Sequence, residues 1–283
     1  MNTIITASKT TRPFLKWPGG KMRLIHFLKQ HLPEQPILVE PFVGAGALFA
    51  NTQHKAILIN DINHDLINIY KQIKKNHRKF SQETERLFHP RYNNKKKYYQ
   101  LREKFNQCED RFERACLFLY LNRHGYNGLC RYNLQGGYNV PFGDYLAPYF
   151  PKQELAYFSQ RLKAAKMSAQ SFTTFLKKLC KHPDIDKMVV YCDPPYVPLS
   201  KTANFTGYAA CKFNLQDQEN LAELALVLIS KGAKVMLSNH DTPFTRQIYD
   251  QAHIKTIQVR RAISCQAQKR EQVAELIAVF DAT

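Results

Sequence analysis

Residues 37–51 read ILVEPFVGAGALFAN, and this stretch decides the fold class. The aliphatic run Ile37–Val39 predicts a buried strand, and a helical pattern begins directly after Gly46. Glycines at 44 and 46 let the backbone bend tightly and approach a ligand closely. A strand, a glycine bend and a helix in this order are typical of α/β sheets that bind ligands at the carboxyl ends of their strands. Phe49 stands where the third glycine of the dinucleotide fingerprint would fall, so the bend alone is equally compatible with an ordinary tight turn.

The alternation of strands and helices continues along the chain. Four further apolar runs predict buried strands, at Ile57–Ile59, Val189–Tyr191, Val235–Leu237 and Leu276–Phe280. Helical periodicity separates several of them, at Met22–His31, Ala47–Asn51, Asp65–Lys74 and Gln216–Ile229. We therefore expect an α/β fold with a Rossmann-like, mostly parallel sheet.

One interval does not fit a simple alternation. Between Asp61 and Val189 lie about 128 residues with no clear strand, which is far too long for one crossover connection. We expect a lobe inserted over residues 63–164, with the core formed by residues 1–62 and 165–283.

The inserted lobe is expected to be mainly helical and to carry a β-hairpin. Glu113–Arg123 is apolar on nearly every face, which predicts a buried helix. Leu129–Leu134 and Tyr138–Phe142 flank the glycine turn Gln135–Gly137, which predicts the hairpin. The side chains expected on its exposed face are Arg131, Tyr132, Asn133 and Asn139.

The chain is strongly basic, with 41 Lys and Arg against 23 Asp and Glu, a formal net charge of +18. The stretch from Lys71 to Lys104 holds twelve basic and three acidic residues and includes the triplet Lys95–Lys97. A lysine run alone is as often a solvated helix face as a binding site. The total, however, exceeds the magnitude of about 2–8 that is usual for a small domain. The charge favours a polyanionic partner, and the absence of an apolar span or a basic amphipathic anchor favours nucleic acid over a membrane.

The composition excludes several other classes of protein. A content of 44% hydrophobic and 12% aromatic residues predicts a packed globule rather than a disordered chain. The first residues lack the pattern of a secretory signal, and the seven cysteines form no CxxC pair. We expect a cytoplasmic protein without disulfides, without a metal site and without a membrane segment, and a monomer.

A second glycine turn, Trp17-Pro-Gly-Gly-Lys21, precedes the first helix. The phosphate-loop pattern GxxxxGK[ST] needs glycine at position 15 and serine or threonine at position 22, but this chain has Leu15 and Met22. Nucleotide hydrolysis by a phosphate loop is therefore excluded.

Asp61 directly follows the second predicted strand, seventeen residues after Gly44. An acid at the end of the second strand is placed to accept hydrogen bonds from a ribose. Together with the bend at Gly44 and Gly46, Asp61 predicts a cofactor that contains a nucleoside.

Asp193-Pro-Pro-Tyr196 is the most informative short motif, because it follows the buried strand Val189–Tyr191 at the edge where α/β sites form. The two prolines fix φ and remove two backbone donors, which leaves carbonyls free to accept. An acid at 193, the Pro194 carbonyl and the aromatic face of Tyr196 suit a flat heterocycle with an exocyclic amino group. A nucleobase would have to leave the helical stack to reach them. The structural alternative is a rigid loop with a partly buried tyrosine.

The motifs together resemble the Dam-type DNA adenine-N6 methyltransferases. The N-terminal, cofactor and catalytic motifs of that family match, in order, Phe14–Lys21, Val39–Gly46 and Asp193–Tyr196. Further similar segments are Leu119–Asn133, Thr202–Thr206 and Ser238–Asp241, and the likeness runs from about Phe14 to Phe280. The resemblance implies a methyltransferase core that uses S-adenosylmethionine and an inserted lobe that recognises DNA. It also implies that methyl is transferred to N6 of a flipped adenine in double-stranded DNA, within GATC.

The resemblance also implies roles for individual residues. The positions that match the cofactor site are Trp17, Lys21, Phe42, Asp61 and Asp193, and those that match the edge of the adenine pocket are Ser171 and Phe172. In the hairpin, Arg131 would read a guanine, Leu129 and Pro141 would contact a thymine methyl, and Tyr126 and Asn127 would support the opened duplex. Lys16 matches a residue that reaches the first base pair, Arg102 matches a phosphate contact, and Asn133 is included among the DNA contacts.

Two positions depart from the family pattern. Asp144 follows Pro-Phe-Gly, where the family often has a basic residue that contacts a phosphate. Cys265–Gln268 lacks the glycines expected of a mobile loop near the DNA.

The expected chemistry needs alignment rather than a metal. Adenine N6 is a poor nucleophile because its lone pair is delocalised into the ring. Hydrogen bonds from N6 to Asp193 and the Pro194 carbonyl would favour a pyramidal nitrogen and stabilise its developing charge, and alignment with an activated methyl carbon would supply the rest. Cys192 is not expected to act as the thiolate of cytosine-C5 methylation, because the chain has no Pro-Cys dipeptide; packing is its expected role.

Alternatives remain open at this point. The [D/N]PP[Y/F] pattern also occurs in cytosine-N4, RNA and protein-glutamine methyltransferases. Asp193 in place of asparagine and the charge of +18 argue against a protein substrate, whereas cytosine N4 presents a similar amine. A non-catalytic DNA-binding module is the alternative from another class, and the intact motif at Asp193 argues against it.

Overall fold

The computed structural model describes residues 10–199, 213–260 and 272–280. Its strands are β1 Ile37–Glu40, β2 Ala56–Asn60, β3 Ala165–Ser168, β4 Met188–Cys192, β5 Lys234–His240, β6 His253–Arg260 and β7 Gln272–Phe280. They form one seven-stranded sheet in the order β3-β2-β1-β4-β5-β7-β6. The first five are parallel, and β7 runs antiparallel to both β5 and β6. The predicted Rossmann-like α/β core is confirmed.

Helices separate most of the consecutive strands along the chain. They are α1 Ile25–His31, α2 Ala47–Asn51, α3 His64–Arg86, α4 Lys95–Gln107, α5 Arg111–His124, α6 Lys152–Leu162, α7 Phe172–Leu179, α8 Leu215–Ser230 and α9 Pro243–Ile248. α3 is longer than the predicted Asp65–Lys74, and its backbone is kinked at Asn76. α3 starts at the cap Asn63, whose side chain accepts the amides of Asp65 and Leu66.

All five predicted strands lie in the sheet, but the expectation that no strand lies between Asp61 and Val189 was wrong. β3 falls in that interval and pairs with β2. β3 is an edge strand of four residues, of which only Ala165 is fully buried, so it lacks the apolar run that marks a central strand. The other edge strand, β6, was also missed.

The helices α3 to α6 lie between β2 and β3, in the interval predicted to be an inserted lobe. α3 packs against α5 and α6, and α4 packs against α5. The predicted burial of α5 is confirmed, since every residue from Ala115 to His124 is buried. One hydrophobic core joins these helices to the sheet, with Leu38 and Phe49 on one side and Phe105 and Phe118 on the other. The division of the chain into a core and a separate lobe stays a prediction.

The predicted hairpin is an antiparallel loop rather than a pair of regular strands. Two isolated bridges, Gly125 with Phe142 and Tyr132 with Tyr138, and a few further backbone hydrogen bonds join its arms. At its tip, the amide of Asn133 donates to the carbonyl of Gly137 at 2.8 Å. The family-like segments 202–206 and 265–268 lie outside the described residues.

No helix in the described ranges is both long and apolar enough to span a bilayer.

Candidate active site and nucleic-acid interface

The bend after β1 is built from two glycines with left-handed backbone angles, Gly44 at φ +48° and Gly46 at φ +73°. A side chain at Gly46 would place its Cβ 2.2 Å from the ring of Phe49, which is already fully buried. A Cβ at Gly44 would lie 3.1 Å from the indole nitrogen of Trp17. The predicted residues Trp17, Gly44 and Gly46 therefore meet at one place, the carboxyl end of β1.

Asp61, at the end of β2, closes this bend. Its carboxylate accepts the amide of Gly44 at 3.1 Å and the amide of Asn63 at 3.0 Å. Burial raises the pKa of Asp61, although these backbone hydrogen bonds act in the opposite direction. Asp61 therefore lies beside the glycine bend, as the sequence predicted.

An aromatic cluster continues the edge towards β3. The rings of Phe42 and Phe172 lie 5.5 Å apart, and Phe213 lies 5.7 Å and 5.3 Å from them. Ser171 is the cap of α7, and its hydroxyl accepts the amide of Thr174 at 3.2 Å. Sequence reasoning placed Phe42, Ser171 and Phe172 here but missed Phe213, which belongs to none of the motifs.

Asp193 follows β4, and two donors converge on the same oxygen of its carboxylate. Ser238, on β5, donates its hydroxyl to Asp193 Oδ1 at 2.8 Å, and Lys21 Nζ lies 2.9 Å from that atom. The side chains of Lys21 and Asp193 are only 10% and 19% exposed, so this ion pair is largely shielded from water. Lys21 also donates to the carbonyl of Gly19 at 3.0 Å.

Tyr196 is fixed at both its hydroxyl and its ring. The hydroxyl donates to Glu275 Oε2 on β7 at 3.1 Å. Lys21 Nζ lies 4.4 Å from the ring centroid, and the ring of His240 approaches edge-on at 4.9 Å. Burial raises the pKa of both Tyr196 and Glu275.

The backbone of the Asp193–Tyr196 loop is held by side chains from neighbouring elements. Gln218 on α8 donates to the carbonyl of Pro195 at 2.8 Å, and the amide of Val197 donates to Asn239 on β5 at 3.1 Å. Asn239 in turn donates to Gln218 at 2.9 Å. The loop is therefore held from α8 and β5, and the Pro195 carbonyl already has a partner.

Glu40, the last residue of β1, is buried close to Asp193. Its Oε1 has no hydrogen-bond partner among the described atoms. Its pKa is raised to about 8, mainly by burial and in part by the charge of Asp193, while the hydrogen bond from the Phe49 amide acts in the opposite direction. A buried carboxyl group with an unpartnered oxygen is a place for a polar or cationic ligand group. Sequence reasoning gave no role to Glu40, Ser238 or Glu275, because their burial and convergence depend on the sheet.

The hairpin presents several of the predicted DNA contacts to solvent. Tyr126, Asn127, Arg131 and Pro141 are exposed, and Leu129 is half-buried. Arg131 donates through Nε to the side chain of Asn139 at 2.8 Å and through Nη2 to its carbonyl at 3.2 Å, so the guanidinium lies across the loop.

Three predicted DNA contacts already have partners within the protein. Lys16 Nζ lies 3.9 Å from the ring centroid of Tyr145, and burial lowers the pKa of Lys16. Arg102 donates to the carbonyl of Val140 at 3.1 Å. Asn133 caps the tip of the hairpin by accepting the amide of Gly137 at 2.8 Å. Lys16 and Arg102 border the hairpin and Asn133 lies at its tip, and the contacts of all three with DNA stay a prediction.

Three of the four hairpin side chains predicted to be exposed, Tyr132, Asn133 and Asn139, are half-buried, and Tyr132 departs furthest from the prediction. Tyr132 was predicted on the exposed face, but it is half-buried and its hydroxyl donates to Asp65 at 2.7 Å. Because side chains alternate along an extended chain, Tyr132 turns inward while its neighbour Arg131 turns outward.

The basic stretch from Lys71 to Lys104 supplies a charged surface beside the hairpin. The triplet Lys95–Lys97 is exposed at the start of α4. Asp144, the departure from the family pattern, is exposed with a left-handed φ of +52°. Among the residues that the structure describes, no three His, Cys, Asp or Glu side chains group closely enough to hold a metal ion.

Comparison with known proteins bears on this arrangement. Residues 17–263 match the family model of the D12 class N6 adenine-specific DNA methyltransferases. The chain is 48% identical over 272 residues to a DNA adenine methylase of Salmonella typhi, with 96% of each chain covered. It is 47% identical over 272 residues to the DNA adenine methylase of Escherichia coli strain K12, again with 96% of each covered. A DNA adenine methylase of Vibrio cholerae is 46% identical over 274 residues, which cover 96% of this chain and 97% of the relative.

Proposed function

Because the chain belongs to the D12 class of N6 adenine-specific DNA methyltransferases, we propose that it methylates adenine within GATC, with S-adenosylmethionine as the donor and the target base flipped out of the duplex. The family establishes the reaction as N6 methylation of adenine in DNA. It also favours adenine over cytosine N4 and an enzyme over a non-catalytic binding module.

The residues along the carboxyl edge of β1 and β2 fit this donor. Asp61 would accept its ribose hydroxyls, and the rings of Phe42 and Phe172 would flank its adenine. The unpartnered oxygen of Glu40 supports a cationic ligand, since it is buried and has no other described partner. When bound, S-adenosylmethionine supplies an activated methyl carbon on a sulfonium.

The proposed binding site for the target adenine rests on one observation, the fixed position of the Asp193 carboxylate. Ser238 and Lys21 both engage Oδ1, which leaves Oδ2 to accept one N6–H of adenine. The Pro195 carbonyl is occupied by Gln218, and the Pro194 carbonyl is proposed to accept the second N6–H. These bonds would localise the lone pair on N6 and stabilise the positive charge that develops there.

Tyr196 is proposed to stack on the flipped adenine. Its hydroxyl is tied to Glu275, and its ring lies beside Lys21, so the plane of the ring is set before the base arrives. A ring whose orientation is already fixed loses less conformational entropy when the base binds.

The hairpin is proposed to read the rest of the site. GATC has a guanine in its first base pair and, on the opposite strand, a guanine in its last base pair. Because Lys16 would contact the first pair, Arg131 is proposed to read the guanine of the last pair. Arg131 would donate to N7 and O6 of that guanine, a bidentate contact worth about 1–3 kcal/mol of discrimination. Leu129 and Pro141 would contact the thymine methyl, and Tyr126 with Asn127 would support the opened duplex.

The remaining DNA contacts are proposed to be independent of sequence. Arg102, Asn133 and the exposed Lys95–Lys97 triplet would contact or attract phosphates. We propose that the protein acts as a monomer on cytoplasmic, nucleoid DNA, without a metal.

Methyl transfer from labelled S-adenosylmethionine to hemimethylated duplexes tests the proposal. One adenine of each duplex is already methylated, so a single strand can accept label. We expect label in N6-methyl-2′-deoxyadenosine after digestion to nucleosides, and only when the duplex contains GATC. Duplexes with one changed base pair are the controls. Label in another nucleoside, or equal labelling of all duplexes, would contradict the proposal.

A further inference from the structure

A buried carboxylate links the recognition hairpin to the start of α3. Asp65 lies in the first turn of α3, and its Oδ2 accepts the hydroxyl of Tyr132 at 2.7 Å. Arg114 on α5 donates to both oxygens of the same carboxylate, at 2.5 Å through Nε and 3.0 Å through Nη2. Asp65 therefore forms a bidentate ion pair with Arg114 and at the same time accepts a hydrogen bond from Tyr132 of the hairpin.

Arg114 is fixed as firmly as its partner. Its Nη1 donates to the carbonyls of Phe105 and Cys108, at 2.8 Å and 3.2 Å. Its guanidinium also lies 4.1 Å from the ring centroid of Phe105. The carboxylate of Asp65 therefore has little freedom to move, because its partner is anchored to the end of α4.

The residue on the other side of Arg131 is anchored to the same turn. The side-chain amide of Asn63 donates to Cys130 Sγ at 3.5 Å, and Cys130 is buried. Asn63 is the N-terminal cap of α3, and its backbone amide donates to the carboxylate of Asp61. The two chain neighbours of Arg131, at 130 and 132, thus attach to one helix start.

Anchoring both neighbours controls the direction of the residue between them. Successive side chains of an extended chain point to opposite sides, so two inward anchors fix one outward side chain. Across the hairpin the backbone has two isolated bridges and a few further hydrogen bonds, among them one from the Asn139 amide to the Arg131 carbonyl at 3.1 Å, but no regular strand ladder, and such a hairpin is weakly held by itself. A bidentate contact with a base requires its donor to be placed within about 0.5 Å and 10–20°.

We infer that Asp65 and Tyr132 are positioning residues for specificity, which aim Arg131 at the base pair that it reads. This inference rests on the proposed role of Arg131 in reading the last guanine. It extends that role to two residues that need touch neither DNA nor the methyl donor.

The test is Tyr132→Phe, which removes one hydroxyl and keeps the ring. The values of kcat/KM are measured on hemimethylated GATC, on a duplex changed only at the last pair and on one changed only at the first pair. We expect discrimination at the last pair to fall about 10-fold, a part of what a bidentate contact supplies. Discrimination at the first pair and kcat on GATC are expected to stay within about twofold, as for two sites that do not share contacts.

Tyr157→Phe is the matched control, since its hydroxyl donates to the Ala50 carbonyl at 2.8 Å, away from the hairpin. It loses the same kind of bond and is expected to keep both discrimination ratios. Thermal unfolding of both variants reports whether a loss of discrimination merely follows a loss of stability. Arg131→Ala is measured beside them to test the proposed base contact directly.

The outcomes separate the inference from the function on which it rests. An equal loss at both base pairs in Tyr132→Phe indicates general loosening of the hairpin and overturns the inference. Unchanged discrimination in Tyr132→Phe, with a loss in Arg131→Ala, overturns it and leaves the base contact standing. Unchanged discrimination in Arg131→Ala overturns the proposed base contact and the inference together.

Discussion

The catalytic loop Asp193–Tyr196 and the recognition hairpin are both irregular segments, but they are held in different ways. The catalytic loop follows a buried central strand. It accepts hydrogen bonds from the side chains of Ser238 and Gln218, and the loop and the adjoining Val197 amide donate to those of Glu275 and Asn239, on three further elements in all. The hairpin projects an exposed tip and is joined across its arms by two isolated bridges.

The difference matches the role proposed for each region. A methyl transfer depends on the alignment of reacting atoms, and the edge of a sheet supports such alignment better than a loop. Base reading needs an element that reaches into a groove, so exposure is unavoidable and order has to come from a few anchors. The hairpin obtains that order from side-chain anchors, among them Asp65 on α3 and Tyr98 and Asn106 on α4, rather than from a strand ladder.

The largest effect is expected at the catalytic loop, from Asp193→Ala. This variant loses the proposed acceptor for N6, and kcat is expected to fall about 10³-fold, as when one preorganised electrostatic group is removed from an active site. DNA affinity, measured by fluorescence anisotropy, is expected to change little, because the hairpin contacts remain. Asp250→Ala, at an exposed carboxylate, is the control. Retained turnover in Asp193→Ala would show that the acceptor lies elsewhere.

The same substitution at a glycine of the bend after β1 and at a glycine of the hairpin tip compares how tightly these two turns are packed. Gly46→Ala puts a Cβ 2.2 Å from the Phe49 ring at φ +73°, whereas Gly136→Ala, at φ +79°, has open space around it. Backbone strain and overpacking together predict a loss of about 3 kcal/mol for Gly46→Ala. Strain alone predicts about 1 kcal/mol for Gly136→Ala. Urea unfolding measures both, and equal losses would mean that the bend can relax around the new methyl.

Glu40 makes the stability of the catalytic side depend on pH. Burial raises its folded-state pKa to about 8, above the ordinary 4.5, so the folded protein holds a proton that the unfolded chain releases. Stability therefore falls as pH rises between about 5 and 8, by at most about 1.4 kcal/mol per unit.

In Glu40→Gln this dependence is absent, so the variant is expected to gain stability over the unmodified protein across that range. Urea unfolding at pH 5.5, 7 and 8 measures the difference, and Asp144→Asn in the exposed loop is the control. A difference that shrinks as pH rises would contradict the raised pKa.

A smaller effect is expected from the hydroxyl that orients Asp193. Ser238→Ala removes one hydrogen bond to Oδ1 but leaves Lys21 in place. A typical bond of this kind contributes about 1 kcal/mol, which corresponds to a fall in kcat of about fivefold. KM for DNA should not change, and Ser230→Ala, on the exposed end of α8, serves as the control. A change in KM alone would assign Ser238 to binding rather than to alignment.

The two regions also differed in how far the sequence predicted them. The catalytic loop and the glycine bend are contiguous motifs next to strong strand signals, so Asp193, Gly44 and Asp61 were placed correctly at one sheet edge. Their supports were not predicted, because Ser238 and Glu275 approach from strands distant in the sequence. Only the pairing of the strands brings them to the loop.

In the hairpin the position of the turn was predictable, but the direction of Tyr132 was not. The sequence pattern of the hairpin does not indicate that the Tyr132 hydroxyl donates to a buried carboxylate on α3. β3 was missed for a related reason. It is a short edge strand, and its place depends on pairing with β2 rather than on an apolar run of its own.

The smallest effect is expected where neither region is involved, on the exposed Lys95–Lys97 triplet of α4. Replacing the three lysines by glutamine removes charge without removing a described contact to the hairpin or the catalytic loop. Each lost phosphate contact should lower the slope of log K against log salt by about 0.9, with kcat and discrimination unchanged. A triple variant of the exposed Lys163, Lys166 and Lys181 is the control for charge alone. If both variants lower the slope equally, the attraction to DNA comes from net charge and not from the surface beside the hairpin.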